Sequence, residues 1–190
     1  IIAPDGSDLV IDGEASGNFQ IGSFGTFTLH ISNSGDSVNF DPIYVNYHLP
    51  DEMIYDSYGG DGWDLFWSTD GITYSNIATS PPVSDSLVRY ARLRYIYELE
   101  ASDTIDVSIN LRPNTSGNST NIFVVSTAGD NGVDNKEIQF IVEIQGFPYT
   151  SGFSSGFGPS DSGFNNGFEN IPFGISPVAF TSAFSTGFGV

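Results

Sequence analysis

From Ile105 to Arg112 the chain alternates without a slip: Ile105, Val107, Ile109 and Leu111 are apolar, and Asp106, Ser108, Asn110 and Arg112 are polar. Side chains of an extended strand point to opposite faces in turn, so this period of two puts one face in a core and the other in water. The pattern recurs over residues 26–32, where Phe27, Leu29 and Ile31 share one parity, and over residues 43–49, which Pro50 closes. Residues 121–127 and 136–144 read as two more strands. Residues 63–68 and 72–75 flank Thr69-Asp70-Gly71 as a hairpin-like connection. The stretch 87–99 carries Arg89, Arg92 and Arg94, and its β-branched and aromatic content favours an extended segment over a helix.

Turn clusters punctuate these runs at Asn33-Ser34-Gly35-Asp36 and Gly129-Asp130-Asn131-Gly132. Seven to nine short strands and no convincing helix within residues 1–145 predict an all-β fold, an antiparallel sandwich of immunoglobulin-like type. Strand order does not follow from the pattern.

From Gly146 onward the chain changes character, and residues 146–190 are expected to form an extended Gly/Phe-rich assembly arm. Nine of the 16 phenylalanines lie there: Phe147, Phe153, Phe157, Phe164, Phe168, Phe173, Phe180, Phe184 and Phe188. Only Asp161 and Glu169 are charged. The Gly-Phe steps are spaced too irregularly for a solenoid, and glycine is too frequent for a helical face. Burying nine rings falls well short of the entropy cost of ordering such a segment alone. These phenylalanines are therefore the expected partner-binding residues, seated on neighbouring subunits. Fully extended, the arm reaches about 150 Å.

Charge narrows the class of partner. Five basic residues face 23 acidic ones, for a net charge of −18. Nucleic acid and anionic lipid are bound through Lys and Arg, so neither is an expected partner. No segment approaches the ~20 apolar residues that span a bilayer. The start at Ile1 fits a processed N-terminus.

Chemistry is sparse. With no cysteine there is no disulfide, thiolate metal site or cysteine nucleophile. His30 and His48 are the only histidines, both on the polar parity of their strands and without a nucleophile elbow nearby. Tyr58, Trp63 and Trp67 beside Asp61 and Asp64 could imitate a carbohydrate cleft, but core tryptophans next to a polar loop fit better. Calcium candidates are Asp5 with Asp8, Asp61 with Asp64, and Asp130 with Asp134 and Glu137, none in a helix-loop-helix pattern. The sequons at Asn114 and Asn118 fit chance in an Asn/Ser/Thr-rich chain. The expectation is no enzyme, no cofactor and no resident metal.

Residues 25–144 resemble the immunoglobulin-like repeat modules, a conserved domain of unknown function in prokaryotic and viral surface proteins. Thr26-Phe27-Thr28-Leu29-His30-Ile31-Ser32-Asn33-Ser34-Gly35 resembles the family's strand ending in an Asn-x-Gly turn. Tyr47-His48-Leu49-Pro50 resembles its Asp-x-Leu-Pro element, with Tyr47 in place of Asp. Trp63 followed by Trp67-Ser68-Thr69-Asp70-Gly71-Ile72-Thr73-Tyr74 resembles its tryptophan hairpin. Residues 99–112 resemble its late strand, and the turn 130–135 precedes its last one. This resemblance implies a sandwich used as spacer, adhesive or assembly module, with no catalytic residues to carry over.

Ser151-Gly152-Phe153-Ser154-Ser155-Gly156-Phe157-Gly158 resembles the Ser-Gly-Phe repeats that end tailed-phage structural proteins. Together the two resemblances imply a virion structural protein, such as a capsid decoration or cement protein, lacing capsid subunits or copies of itself. The alternative expectation is a cell-surface or extracellular filament subunit, a homo-oligomer formed by strand exchange through the arm or residues 1–12. A carbohydrate-binding module centred on Trp63 and Trp67 is the third.

Overall fold

The computed structural model of the chain describes residues 6–128 and 136–146. Within them, strands β1 (Leu9–Gly17), β2 (Gly25–Asn33), β8 (Thr104–Pro113) and β4 (Met53–Gly59) form a four-stranded sheet in that order. A six-stranded sheet runs β10 (Glu137–Ile144), β9 (Gly117–Ser126), β3 (Ile43–His48), β7 (Tyr90–Tyr95), β5 (Trp63–Ser68) and β6 (Ser75–Asn76). Every neighbouring pair of strands is antiparallel. The two sheets face each other across one hydrophobic core, which makes the fold an all-β, immunoglobulin-like sandwich, as the alternation predicts. The nine phenylalanines of the expected arm lie outside the described residues.

Three local expectations differ from the structure. β4 is an additional strand, hidden in sequence by a register shift between Tyr55 and Ser57 that breaks its period of two. β1 is also additional, because only its first half is apolar: Leu9 and Ile11 are buried, and Glu14–Gly17 are exposed. Residues 72–75 are not a strand partner for β5. The Asp70 carboxylate takes the amides of Ile72 and Thr73, and pairing begins only at Ser75. The stretch 87–99 is extended rather than helical, as expected, but forms a ladder strand only over β7 (Tyr90–Tyr95), with a single 3-10 turn at Asp85–Leu87 before it and Leu99 bridging Asn39 after it. Within residues 1–12, Leu9 to Asp12 pair with this chain's own β2.

Phe27 sits at the middle of the sandwich with no exposed surface. From β2 it meets Phe123 of β9 and Phe140 of β10, at centroid distances of 5.5 and 5.2 Å, while Phe19 packs against it at 5.3 Å. The tilted geometries suit the ring quadrupoles, and each ring removes a large apolar area from water. Gly25 makes room for this cluster: a Cβ there would lie 2.2 Å from the Phe19 ring.

Several polar groups inside the sandwich are paired, although the buried Trp63 Nε1 has no hydrogen-bond partner. The buried Asn33 donates to the carbonyls of Ser37 (2.8 Å) and Leu99 (3.0 Å), and its Oδ1 accepts the amides of Asp8 and Gly35. This fixes the Asn-x-Gly turn after β2. Tyr47 donates its hydroxyl to Asn121 Oδ1 at 2.6 Å and stacks on Phe123, and burial holds its pKa well above the ordinary tyrosine range. β10 is tied at both ends. Lys136 reaches Asp8 at 2.8 Å and the Leu9 carbonyl, while Gln145 exchanges backbone bonds with Phe19 and Ile21.

Replacing Tyr47→Phe leaves Asn121 Oδ1 buried without its donor, and equilibrium denaturation should show a loss of about 1–3 kcal/mol. A chain ending at Gly146 should fold. Ending it at Ile144 instead removes both Gln145 backbone bonds, and should lower stability by about 1–3 kcal/mol relative to the longer form, at roughly 0.5–1.5 kcal/mol each.

Candidate protein-docking face

Because the inner parities are fixed by the core, the outer parities face solvent, and the two outer faces differ in chemistry. On the four-stranded sheet they form hydrogen-bonded polar pairs. Thr26 donates to Asn110 at 2.6 Å, Asn110 donates to Ser57 at 2.9 Å, and His30 Nδ1 lies 2.6 Å from Asp106. Such a face is satisfied within itself and in contact with water.

The outer face of the six-stranded sheet is aromatic, apolar and cationic. Cross-strand pairing sets Tyr44 opposite Arg94, Asn46 opposite Arg92 and His48 opposite Tyr90 on β3 and β7, with Phe66 of β5 opposite Arg92. Arg92 is the centre. Its guanidinium lies 4.1 Å from the Tyr74 ring centroid and 5.9 Å from that of Tyr44, and its Nε donates to Asn46 Oδ1 at 2.8 Å. Arg94 covers Phe66 at 4.7 Å and bonds Asp64 at 2.8 Å, and His48 stacks on Tyr90 at 4.4 Å. Across β3 lie Ile122 and Val124 of β9, 38% and 36% exposed, and then Ile141 of β10, 67% exposed. β-Branched side chains this open on consecutive strands form an apolar shoulder beside the aromatic cluster.

The electrostatics single out Arg92. Arg89, Arg94, Arg112 and Lys136 each meet a carboxylate, at Asp51, at Asp64, at Asp56 and Asp85, and at Asp8. Among the described residues Arg92 is the one basic side chain held by rings and an amide instead. In a chain of net charge −18 this is the point of the described surface where positive charge stands unbalanced by a carboxylate.

The turn after β5 builds one wall of the cluster. Asp70 accepts the amides of Thr73 (3.0 Å) and Ile72 (2.8 Å) and the hydroxyl of Ser68 (2.8 Å), which places Tyr74 over Arg92. Gly71 adopts a φ of +74° with the Tyr90 ring 3.1 Å from where a Cβ would stand, so the turn tolerates only glycine there without strain.

The residues singled out in sequence are scattered by the fold. Trp63 is 5% exposed in the core, and Trp67 packs half-buried with its indole donating to the Ser80 carbonyl, so they form no open sugar platform. His30 and His48 lie on the outer faces of different sheets. No cluster of three or more metal-ligating side chains occurs among the described residues. Asp64 is taken by Arg94 and Asp8 by Lys136, while Asp5, Asp130 and Asp134 lie outside the described residues. This candidate face leaves a local signal in the sequence: the outward parity of residues 44–48 and 90–94 carries Tyr, Asn, His and Arg rather than Ser, Thr and Asp.

No protein-family model matches the sequence, and no curated protein matches it. Among solved structures, the chain is similar to the cohesin module of a family 33 glycoside hydrolase from Clostridium perfringens. That match has 14% identity over 76% of this chain and 99% of the module, with a TM-score of 0.47. It is also similar to a CARDB domain from Pyrococcus furiosus (11% identity, 73% and 95% covered, TM-score 0.44). A third similarity is to domains D2 and D3 of the major pilin SpaD from Corynebacterium diphtheriae (9% identity, 72% and 50% covered, TM-score 0.41).

The Thr73 amide, then that of Ile72 and the Ser68 hydroxyl, hold the Asp70 carboxyl down to about 2, from an ordinary 3.8. A depressed carboxylate stabilises the fold above its unfolded pKa and loses that contribution as pH falls through its folded one. Asp70→Asn should therefore flatten the pH dependence of thermal stability between pH 3.8 and about 2. An unchanged slope would show that Asp70 does not hold this turn.

Proposed function

We propose that this chain is a non-catalytic assembly module of an extracellular or cell-surface protein filament, associating with further copies of itself. The observation that carries the reading is the contrast between the two outer faces. The four-stranded sheet turns a self-satisfied polar surface to water, whereas the six-stranded sheet presents exposed Ile122, Val124 and Ile141 beside the Tyr44–Arg92–Tyr74 cluster. Exposed apolar side chains next to a half-buried arginine and tyrosines have the composition of a binding surface. The phenylalanines of residues 147–190, named above, are the proposed partner-binding residues.

Self-assembly is favoured over a separate capsid partner because one chain carries both components, an aromatic-rich arm and an apolar, cationic face. The virion setting expected from the Ser-Gly-Phe resemblance rests on the arm's composition alone. Catalysis has no support in the geometry: no serine or threonine hydroxyl is bonded to His30 or His48 among the described residues, and the His30–Asp106 pair stands in an open polar ladder.

Full-length protein should form homopolymers as its concentration rises, visible in negative-stain electron microscopy and as a concentration-dependent sedimentation boundary. A protein that stays monomeric across the accessible range, in both low and physiological salt, would overturn the reading.

A further inference from the structure

The assembly reading leaves open what sits on the aromatic face. Resting on that reading, we infer that the occupant is the Gly/Phe arm of a second copy, one pair of phenylalanines four residues apart seated on each sandwich.

The chemistry of the two surfaces matches. The face offers rings, β-branched side chains and the uncompensated Arg92 guanidinium. The arm offers phenylalanines, two carboxylates and no basic residue. Another sandwich body is a poorer occupant, because all but two of the 23 acidic residues fall before Phe147 and would be brought together. The carboxylates sharing the outer face on β10, Glu137 and Glu143, stand on the edge strand, three strands from Arg92. They border the apolar shoulder and leave the Arg92 end open to an acidic segment.

Dimensions agree as well. Ile122 stands two strand spacings across and two residues along from Arg92, about 12 Å away. Two side chains four residues apart on an extended chain are separated by about 13 Å. Phenylalanines recur at that spacing as Phe153 with Phe157, Phe164 with Phe168, and Phe180 with Phe184. One ring of a pair covers Ile122 and Val124 while the other meets the Tyr44–Arg92–Tyr74 cluster, and Gly156 and Gly167 inside the first two pairs let the backbone approach a flat sheet.

The spacing between pairs points to copies in trans. The first pair repeats as the second after 11 residues, about 36 Å of extended chain. A domain of this size is about 38 Å across. One face accepts one pair, so an arm with three pairs has positions for more than one neighbour, and multivalent engagement raises the avidity of each weak contact.

The test is photo-crosslinking of full-length protein with p-benzoylphenylalanine at position 157, using an equimolar mixture of isotopically heavy and light chains. The expected result is heavy–light crosslinks between position 157 and peptides of β3, β7 or β9. In parallel, the double variant Tyr44→Ser/Arg92→Gln, with its fold confirmed by thermal melting, should raise the critical concentration for polymerisation about tenfold or more. Crosslinks confined to a single copy, or mapping to β2 and β8, would overturn the inference. Polymers forming normally in the folded double variant would also overturn it while leaving self-assembly intact, whereas absence of polymers from the unaltered protein would remove the assembly reading itself.

Discussion

The packing of the two sheets against each other through Phe27 fixes everything that follows. Phe27 comes from the four-stranded sheet, and Phe123 and Phe140 from the six-stranded one, so this contact sets their separation and the inward parity of three strands. In a strand one inward residue determines all the others, and the outward residues are then no longer free. That Tyr44, Arg92 and Val124 face solvent is a consequence of Val45, Leu93 and Val125 facing the core. The docking face is the reverse side of the core.

Charge is distributed with the same economy. Four of the five basic side chains sit in ion pairs that tie strands, turns and edges together, among them Lys136 at the start of β10 and Arg112 between β4 and the 3-10 turn. Ion pairs this exposed contribute little stability individually, and their effect is on placement. Arg92 is different. Its contacts are rings and an amide rather than a carboxylate. In the proposed assembly, a strongly acidic exterior would keep sandwich bodies apart, and one cationic, aromatic face would give association a direction.

Legibility in sequence followed the regularity of the backbone. β2, β3 and β8 keep a period of two from end to end, and their inner and outer residues could be assigned from the pattern alone. β4 was hidden by the bulge at Asp56, and β1 by an apolar half followed by an exposed one. The turn at Asp70 looked like a hairpin tip because Asp-Gly has that chemistry, yet the carboxylate captures two amides that the ladder would have used. The docking face required the fold. Tyr44, Phe66, Tyr74, Arg92 and Val124 come from separate segments, and their adjacency follows from the strand order β9-β3-β7-β5, which no local pattern encodes. Trp63 and Trp67 show the converse: tryptophans that suggest binding in one dimension serve as packing in three.

The most direct measurement of the central claim is a cryo-electron microscopy map of the assembled full-length protein at side-chain resolution. Extended density crossing the outer face of the six-stranded sheet, over Tyr44, Arg92 and Ile122, with the face bearing His30 and Asp106 left to solvent, is the predicted result. Contacts made through the His30–Asp106 face, with the Arg92 cluster open to solvent, would contradict it.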